Sequence, residues 1–236
     1  MNLFFLQVQN DSIAQATGAV VQNTVAIKEI SVLEFVTKGG LFLIPIALLL
    51  FYTLYIIMER WMYISKRSKI DPNLTRDVRE ALGEGELKRA VAFTERSNSA
   101  SGSVLREGIL TIGRPIAEIE SNMERAANIE VGEMEKKLGH LGLIAGIAPT
   151  LGFIGTISGV IKIFYSISQT EDISIGNISG GLYEKMISSG AGLVVGIIAY
   201  SAYHLFNGKI DSFVLSIQRQ VLEFVNIIQR PNGSSK

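Results

Sequence analysis

Three stretches of this chain are long, apolar and nearly free of charge, and they dictate what it can fold into. The hydrocarbon core of a bilayer is about 30 Å thick and a helix rises about 1.5 Å per residue, so a spanning helix needs roughly 20 mainly apolar residues. Gly39–Met58, Leu138–Ile161 and Met186–Phe206 meet that requirement. The first contains LFLIPIALLLFYTLYIIM without a charge. The second has no acid or base except His140 near its start, and the third none except His204 near its end. Elsewhere charges interrupt the apolar runs well before spanning length. The expected fold class is an all-α integral membrane protein with three transmembrane helices.

Basic residues set the orientation, because they accumulate on the cytoplasmic side. Of the 22 lysines and arginines, 14 lie between Glu59 and Lys137. The first 40 residues hold only Lys28 and Lys38, residues 169–183 hold none, and the tail after Phe206 holds Lys209, Arg219, Arg230 and Lys236. The predicted organisation is an outer, periplasmic segment over 1–38, a first transmembrane helix over 39–58 and a cytoplasmic helical domain over 59–137. A second transmembrane helix follows over 138–168, a periplasmic loop over 169–183, a third transmembrane helix over 184–206 and a cytoplasmic C-terminal helix over 207–236. The opening MNLFFLQVQN lacks a basic start and a long apolar run, so it reads as uncleaved rather than as a signal peptide. Ile27, Ile30, Leu33 and Val36 have near-helical spacing, which suits a helix lying flat at the outer interface before Gly39 and Gly40 turn the chain inward.

Other features narrow the function by exclusion. Acids and bases balance at 22 each, so bulk charge gives no reason to expect nucleic acid as a partner. There is no cysteine, and the two histidines are far apart in sequence, so no metal-ligand spacing or thiol chemistry is expected. No constellation suggests an enzyme, and no cofactor is expected.

In the 59–137 region, Asp71-Pro72 is a helix start, with a capping acid followed by proline at the first helical position. Glu86–Arg96 and Val104–Ile112 read as two further short helices, and Arg114-Pro115 opens a long one. From Ile116 the apolar residues Ile119, Met123, Ala127, Val131, Met134, Leu138 and Leu141 recur every three or four positions. That stripe predicts one helix running without interruption into the second span. Ile210, Val214, Ile217, Val221, Phe224 and Ile228 make a similar stripe in the tail. Both stripes need partners, in the same chain or in neighbouring copies. Arg230–Lys236 is expected to be a flexible end.

Spans two and three are rich in small residues. Gly152, Gly155 and Gly159, with Gly142 and Gly146, lie in span two, and Ser188, Gly192 and Gly196 recur every four residues in span three. Such spacing puts small side chains on one helical face and lets helices approach closely, so these are read first as packing faces. Pro149 sits mid-membrane, where its missing donor frees a carbonyl and favours a kink. Thr156, Ser188 and Ser189 carry hydroxyls that either bond back to their own helices or pass protons and hold water. Glu184 falls in the first turn predicted for span three, where the helix dipole favours an acid, and it is either functional or only a cap. No acid lies at the centre of any span. If the chain moves protons, a partner must bring the carboxyl group.

The run LIAGIAPTLGFIGTISGVIKIF (143–164) resembles the second-span signature of the ExbB/TolQ/MotA proton-channel family. Leu182–His204, with Glu184, Ser189, Gly192-Leu193 and Tyr203, is similar to that family's third span, and Met58-Glu59-Arg60 resembles the end of its first. The resemblance covers about residues 30 to 210, and its three-span order is that of ExbB and TolQ rather than of the four-span MotA. It implies a pentameric ring in the bacterial inner membrane, lined by spans two and three, around the single-span helices of an ExbD- or TolR-like partner that carries a membrane aspartate. Proton flow through that aspartate would energise a TonB-like protein. By the same resemblance Thr156 is the lumen threonine, Ser189 stands where threonine is usual, Glu184 is the acid that opens span three, and Ser188 lies beside them. Ile198 replaces a frequent proline, which removes the analogy for a kink in span three. The ExbB-like reading, with TonB-dependent outer-membrane transport, stands beside a TolQ-like role in envelope maintenance and a non-conducting membrane scaffold.

Overall fold

The computed structural model describes residues 41–170 and 175–229, and these contain seven helices and no strand. In chain order they are α1 (Leu43–Arg67), α2 (Pro72–Gly83), α3 (Leu87–Ser97), α4 (Ala100–Leu110), α5 (Ile116–Glu135), α6 (Leu138–Thr170) and α7 (Ile175–Gln229). Three stretches are helical, long and apolar enough to cross a membrane, and they contain α1, α6 and the first part of α7. The protein is an all-α membrane protein. The interfacial helix expected around residues 25–36, the turn at Gly39-Gly40 and the end Arg230–Lys236 lie outside the described residues.

Local chemistry fixes the short helices. The Asp71 carboxylate accepts from the Asn73 N–H at 2.9 Å with Pro72 at the first helical position, as that dipeptide predicts. Ser99 caps α4 by accepting from the Gly102 N–H at 3.1 Å. That cap starts α4 four residues before the predicted Val104. The turn into it uses Asn98 in the left-handed region, at φ 43°, which asparagine tolerates better than most side chains.

The short helices, α5, the lower part of α1 and the C-terminal half of α7 form a bundle. Its core contains Ile64, Val78, Leu105, Met123, Met134 and Phe224, all nearly inaccessible. Gly108 marks a close approach of its helices: a Cβ there would lie 2.6 Å from both Met123 Sδ and Phe224 Cε1. A buried polar cluster ties the bundle together, with Ser101 Oγ donating to Gln220 Oε1 at 2.6 Å and Gln220 Nε2 donating to Thr75 Oγ1 at 3.3 Å.

The apolar core between the spans is a different kind. It consists of Ile46, Ile144, Ala148, Val195 and Ala199, with Leu49, Leu50, Ala145, Leu151 and Ala191 against it. Lipid is as apolar as leucine, so helices in a membrane gain by close approach rather than by hiding large side chains. Large residues accordingly face outward, among them Leu48, Phe51, Phe153, Phe164, Leu193 and Ile197.

Two expectations are corrected. The stripe from Ile116 to Leu141 does not lie on one continuous helix. α5 ends at Glu135, Lys136 takes an extended ψ of 135°, Lys137 is left-handed at φ 65°, and α6 begins at Leu138. The apolar spacing survives because Met134, Leu138 and Leu141 all still reach the core. The expected 169–183 loop is instead mostly helical, since α6 continues to Thr170 and α7 begins at Ile175. Packing overrides the low helix propensity of Gly180-Gly181: a Cβ on Gly181 would lie 2.9 Å from Ile163 Cδ1 on α6. Glu184 is therefore not in the first turn of a helix, as expected, but well inside α7.

Candidate functional site

α6 and α7 form the most extensive helix pair of the protein, and glycine makes it possible. A Cβ on Gly192 would stand 2.4 Å from the Ala148 carbonyl oxygen, and one on Gly152 would stand 2.9 Å from Ser189 Cα. Both clashes are with backbone, so no side-chain adjustment would relieve them. A Cβ on Gly196 would meet Pro149 Cγ at 2.6 Å and the Ala145 oxygen at 3.2 Å. Ala145 is the residue whose carbonyl loses its helical donor to Pro149, so the position of the freed oxygen is set by a glycine of the opposing helix. One on Gly155 would lie 3.0 Å from Ser188 Oγ and 3.2 Å from Phe42 Cβ. Beside Gly159 runs the Lys185 side chain. The six residues predicted as packing positions thus lie on one antiparallel seam, with Pro149 opposite Gly196, Gly152 opposite Ser189 and Thr156 opposite Lys185.

Three predicted hydroxyls lie along this seam. Thr156 Oγ1 is 3.2 Å from the Gly152 carbonyl of its own helix and 3.2 Å from the Lys185 carbonyl of α7. A hydroxyl has one proton to donate, so it serves either acceptor in turn: the back-bond is the one foreseen from sequence, and the second acceptor on α7 was not foreseen. Ser188 is fully buried and its Oγ has no hydrogen-bond partner. Leaving a buried hydroxyl unpaired costs about 1–3 kcal/mol, an unusual feature that calls for an explanation. Ser189 is half-buried, with its backbone against Gly152. The Glu184 side chain lies outside the described residues.

A second cluster stands at the bundle end of the seam and is the part that sequence reasoning missed. Lys137, the left-handed residue between α5 and α6, donates to both oxygens of Glu59 on α1 at 2.9 and 2.8 Å. Arg60 donates to Glu59 Oε1 at 2.6 Å and to the Glu133 carbonyl at 3.1 Å, capping the last turn of α5. Arg67 grips both oxygens of Glu130 at 2.6 and 2.7 Å. The hydrogen bonds from Lys137 and then Arg60 hold the Glu59 carboxyl below the usual carboxylate range, and the same bond to Glu59 raises Lys137. α1 is thus clasped to the joint between α5 and α6. The available signal was Glu59-Arg60 just after one apolar run and Lys136-Lys137 just before another, which puts opposite charges at one membrane level.

Comparison with known proteins identifies what the chain is similar to. The family model described as the MotA/TolQ/ExbB proton channel family matches residues 96–219, a stretch that contains the whole seam. An ExbB homologue of Methanothermobacter thermautotrophicus, described as a biopolymer transport protein, is 28% identical over 189 residues, covering 80% of this chain and 67% of the relative. The Tol-Pal system protein TolQ of Haemophilus influenzae is 24% identical over 191 residues, covering 72% of this chain and 82% of the relative. The biopolymer transport protein ExbB of Salmonella typhimurium is 26% identical over 136 residues, which are 58% of this chain and 48% of that protein.

Proposed function

The chain belongs to the MotA/TolQ/ExbB proton channel family, and from that premise we propose that it is the ring-forming subunit of an ExbB-like, proton-driven motor in the bacterial inner membrane. Five copies surround the single-span helices of an ExbD- or TolR-like partner. The N-terminus is periplasmic, and the bundle and the C-terminal end of α7 are cytoplasmic. The partner's membrane carboxyl takes up and releases protons beside Thr156 and Ser189, and the resulting motion energises a TonB-like protein. The observation that carries this reading is the α6–α7 seam: hydroxyls in a polar, glycine-lined layer within spans that contain no Asp or Glu between 39 and 58, 138 and 168, or 185 and 206. A proton crossing down the membrane potential releases about 2.3 kcal/mol per 100 mV, so a few protons suffice for a mechanical step.

The roles of ExbB and TolQ share this machinery, and the likeness to a TolQ over 72% of this chain supports a Tol-type task as the second reading. Thr156→Val and Ser189→Ala test the central claim. The substituted chains should still assemble with the partner while proton flux and energised transport are lost. Full activity in both would reduce the protein to a scaffold, and a monomer in native mass spectrometry from mild detergent would remove the ring.

A further inference from the structure

We propose that His140 and His204, held by Tyr52, Tyr200 and Tyr203, form a second proton-handling station at the bundle end of the spans, through which protons leave for the cytoplasm.

The chain has only two histidines. They are far apart in sequence, but the seam brings them to one level. A Cβ on Gly142 of α6 would touch Tyr203 of α7 at 3.6 Å, so those two residues are opposite each other. Two residues back along α6 is His140, and one residue on along α7 is His204. At about 1.5 Å of rise per residue, both histidines lie within one turn of that crossing along their own helix axes, His140 turned towards α1 and His204 towards its own tyrosines. Both are exposed on the protomer rather than sunk in its core.

Each ring is held by tyrosine. His140 Nδ1 lies 2.8 Å from the Tyr52 hydroxyl of α1. A phenol both donates and accepts. With neutral imidazole the Tyr52 O–H donates to Nδ1; once Nδ1 is protonated, its N–H donates to the Tyr52 oxygen. The same bond therefore holds the ring in both charge states, which suits a group that must gain and lose a proton without moving. His204 packs against Tyr200 with ring centroids 4.3 Å apart and against Tyr203 at 5.2 Å, edge-on. Aromatic faces favour a cationic neighbour.

The charges around the tier leave this task to the imidazoles. Below His140 stand Lys137, Glu59 and Arg60, which are committed to one another, and Tyr55, whose ring lies 5.6 Å from Lys137 Nζ. Beyond His204 stands Lys209, which donates to Ser65 Oγ at 2.9 Å and lies over Trp61. Imidazole is the side chain that ordinarily changes charge between pH 5 and 8. Thr156 lies 16 residues along α6 from His140, about 24 Å away, so a proton released near Thr156 needs a further acceptor before it reaches the cytoplasm. The step is simple: an imidazole nitrogen takes a proton from a hydrated proton arriving from the spans, one O–H bond breaking as one N–H bond forms, and then gives it to water on the cytoplasmic side, the N–H bond breaking as a new O–H bond forms.

This inference rests on the proton-conducting reading above. The test uses the full chain reconstituted in liposomes with its single-span partner, with pyranine reporting the internal pH. The His140→Gln/His204→Gln double variant should lose flux roughly 100-fold, the low end of what one positioned acid–base group contributes. The pH profile of its residual flux should differ from that of the wild type, and millimolar free imidazole supplied inside should restore flux. Tyr52→Phe should lower flux and leave assembly intact. Wild-type flux with the wild-type pH profile in the double variant overturns the proposal and leaves the motor reading standing. So does a loss that imidazole fails to restore while the pH profile of the residual flux is unchanged, because that is the signature of a merely structural role. A wild-type complex that conducts no protons overturns both readings.

Discussion

The Thr156 hydroxyl sits 3.2 Å from the Lys185 carbonyl of the opposing helix, so it couples α6 to α7 with the same atom that bonds back to Gly152. A net hydrogen bond of this kind is worth about 1 kcal/mol. Its value to the protein is therefore chiefly one of position: it fixes a polar group between Gly155 and Gly159, where the helices approach closely.

The seam predicts opposite outcomes for neighbouring glycines. Gly192→Ala drives a methyl to 2.4 Å from the Ala148 oxygen and should cost about 1–3 kcal/mol, as overpacking does. At Gly190, where nothing lies within 4 Å of a built Cβ, alanine should raise stability by up to about 1 kcal/mol through helix propensity. Thermal unfolding of the two variants in the same detergent distinguishes these cases, and equal melting temperatures would mean that the seam is looser than described.

Ser188→Ala removes a buried hydroxyl that has no partner. The melting temperature should rise, by an amount equivalent to about 1 kcal/mol, while proton flux falls. A variant that is both less stable and fully active would show that the hydroxyl serves structure alone.

The clasp between Glu59 and Lys137 should be insensitive to pH across about pH 5 to 10. Glu59 is lowered in the folded state, so its contribution is present above the unfolded carboxylate value and disappears as pH falls through the folded one. Lys137 is raised, so its contribution is complete below the unfolded value and disappears only as pH climbs through the folded one. Glu59→Lys and Lys137→Glu should each loosen the joint between α5 and α6, seen as faster proteolysis near residue 136, and the double exchange should restore protection. Proteolysis that is unchanged in the single variants would count against a clasp.

The absence of cysteine makes orientation easy to read. Lys66→Cys and Lys137→Cys should resist membrane-impermeant maleimide applied to intact spheroplasts and react once the membrane is opened. Rapid labelling of either in sealed spheroplasts would invert the topology.

Much of this architecture was legible in the sequence, for identifiable reasons. Charge-free length specifies a span almost regardless of tertiary context, and Asp71-Pro72 is a strictly local signal, so both survive in the structure. The four-residue spacing of Ser188, Gly192 and Gly196 likewise foretold a face, and that face is the seam. What was not legible depends on partners distant in the chain. The break at Lys137 is invisible in an apolar stripe that keeps its period, because a left-handed lysine is held there by Glu59, 78 residues away. The start of α7 at Ile175 runs through glycines that read as loop and become helical against Ile163. The spacing marked Ser188 as a seam residue, but the isolation of its Oγ, buried beside Gly155, depends on tertiary packing that no spacing rule contains.

α7 is 55 residues of uninterrupted helix, about 80 Å long at 1.5 Å per residue. Its companion α6 meets α5 at a knuckle, at Lys137. One helix therefore carries both Ser188 in the seam and Phe224 beside Gly108 in the heart of the bundle, whereas the neighbouring path between those layers is broken once and pinned at the break by Glu59.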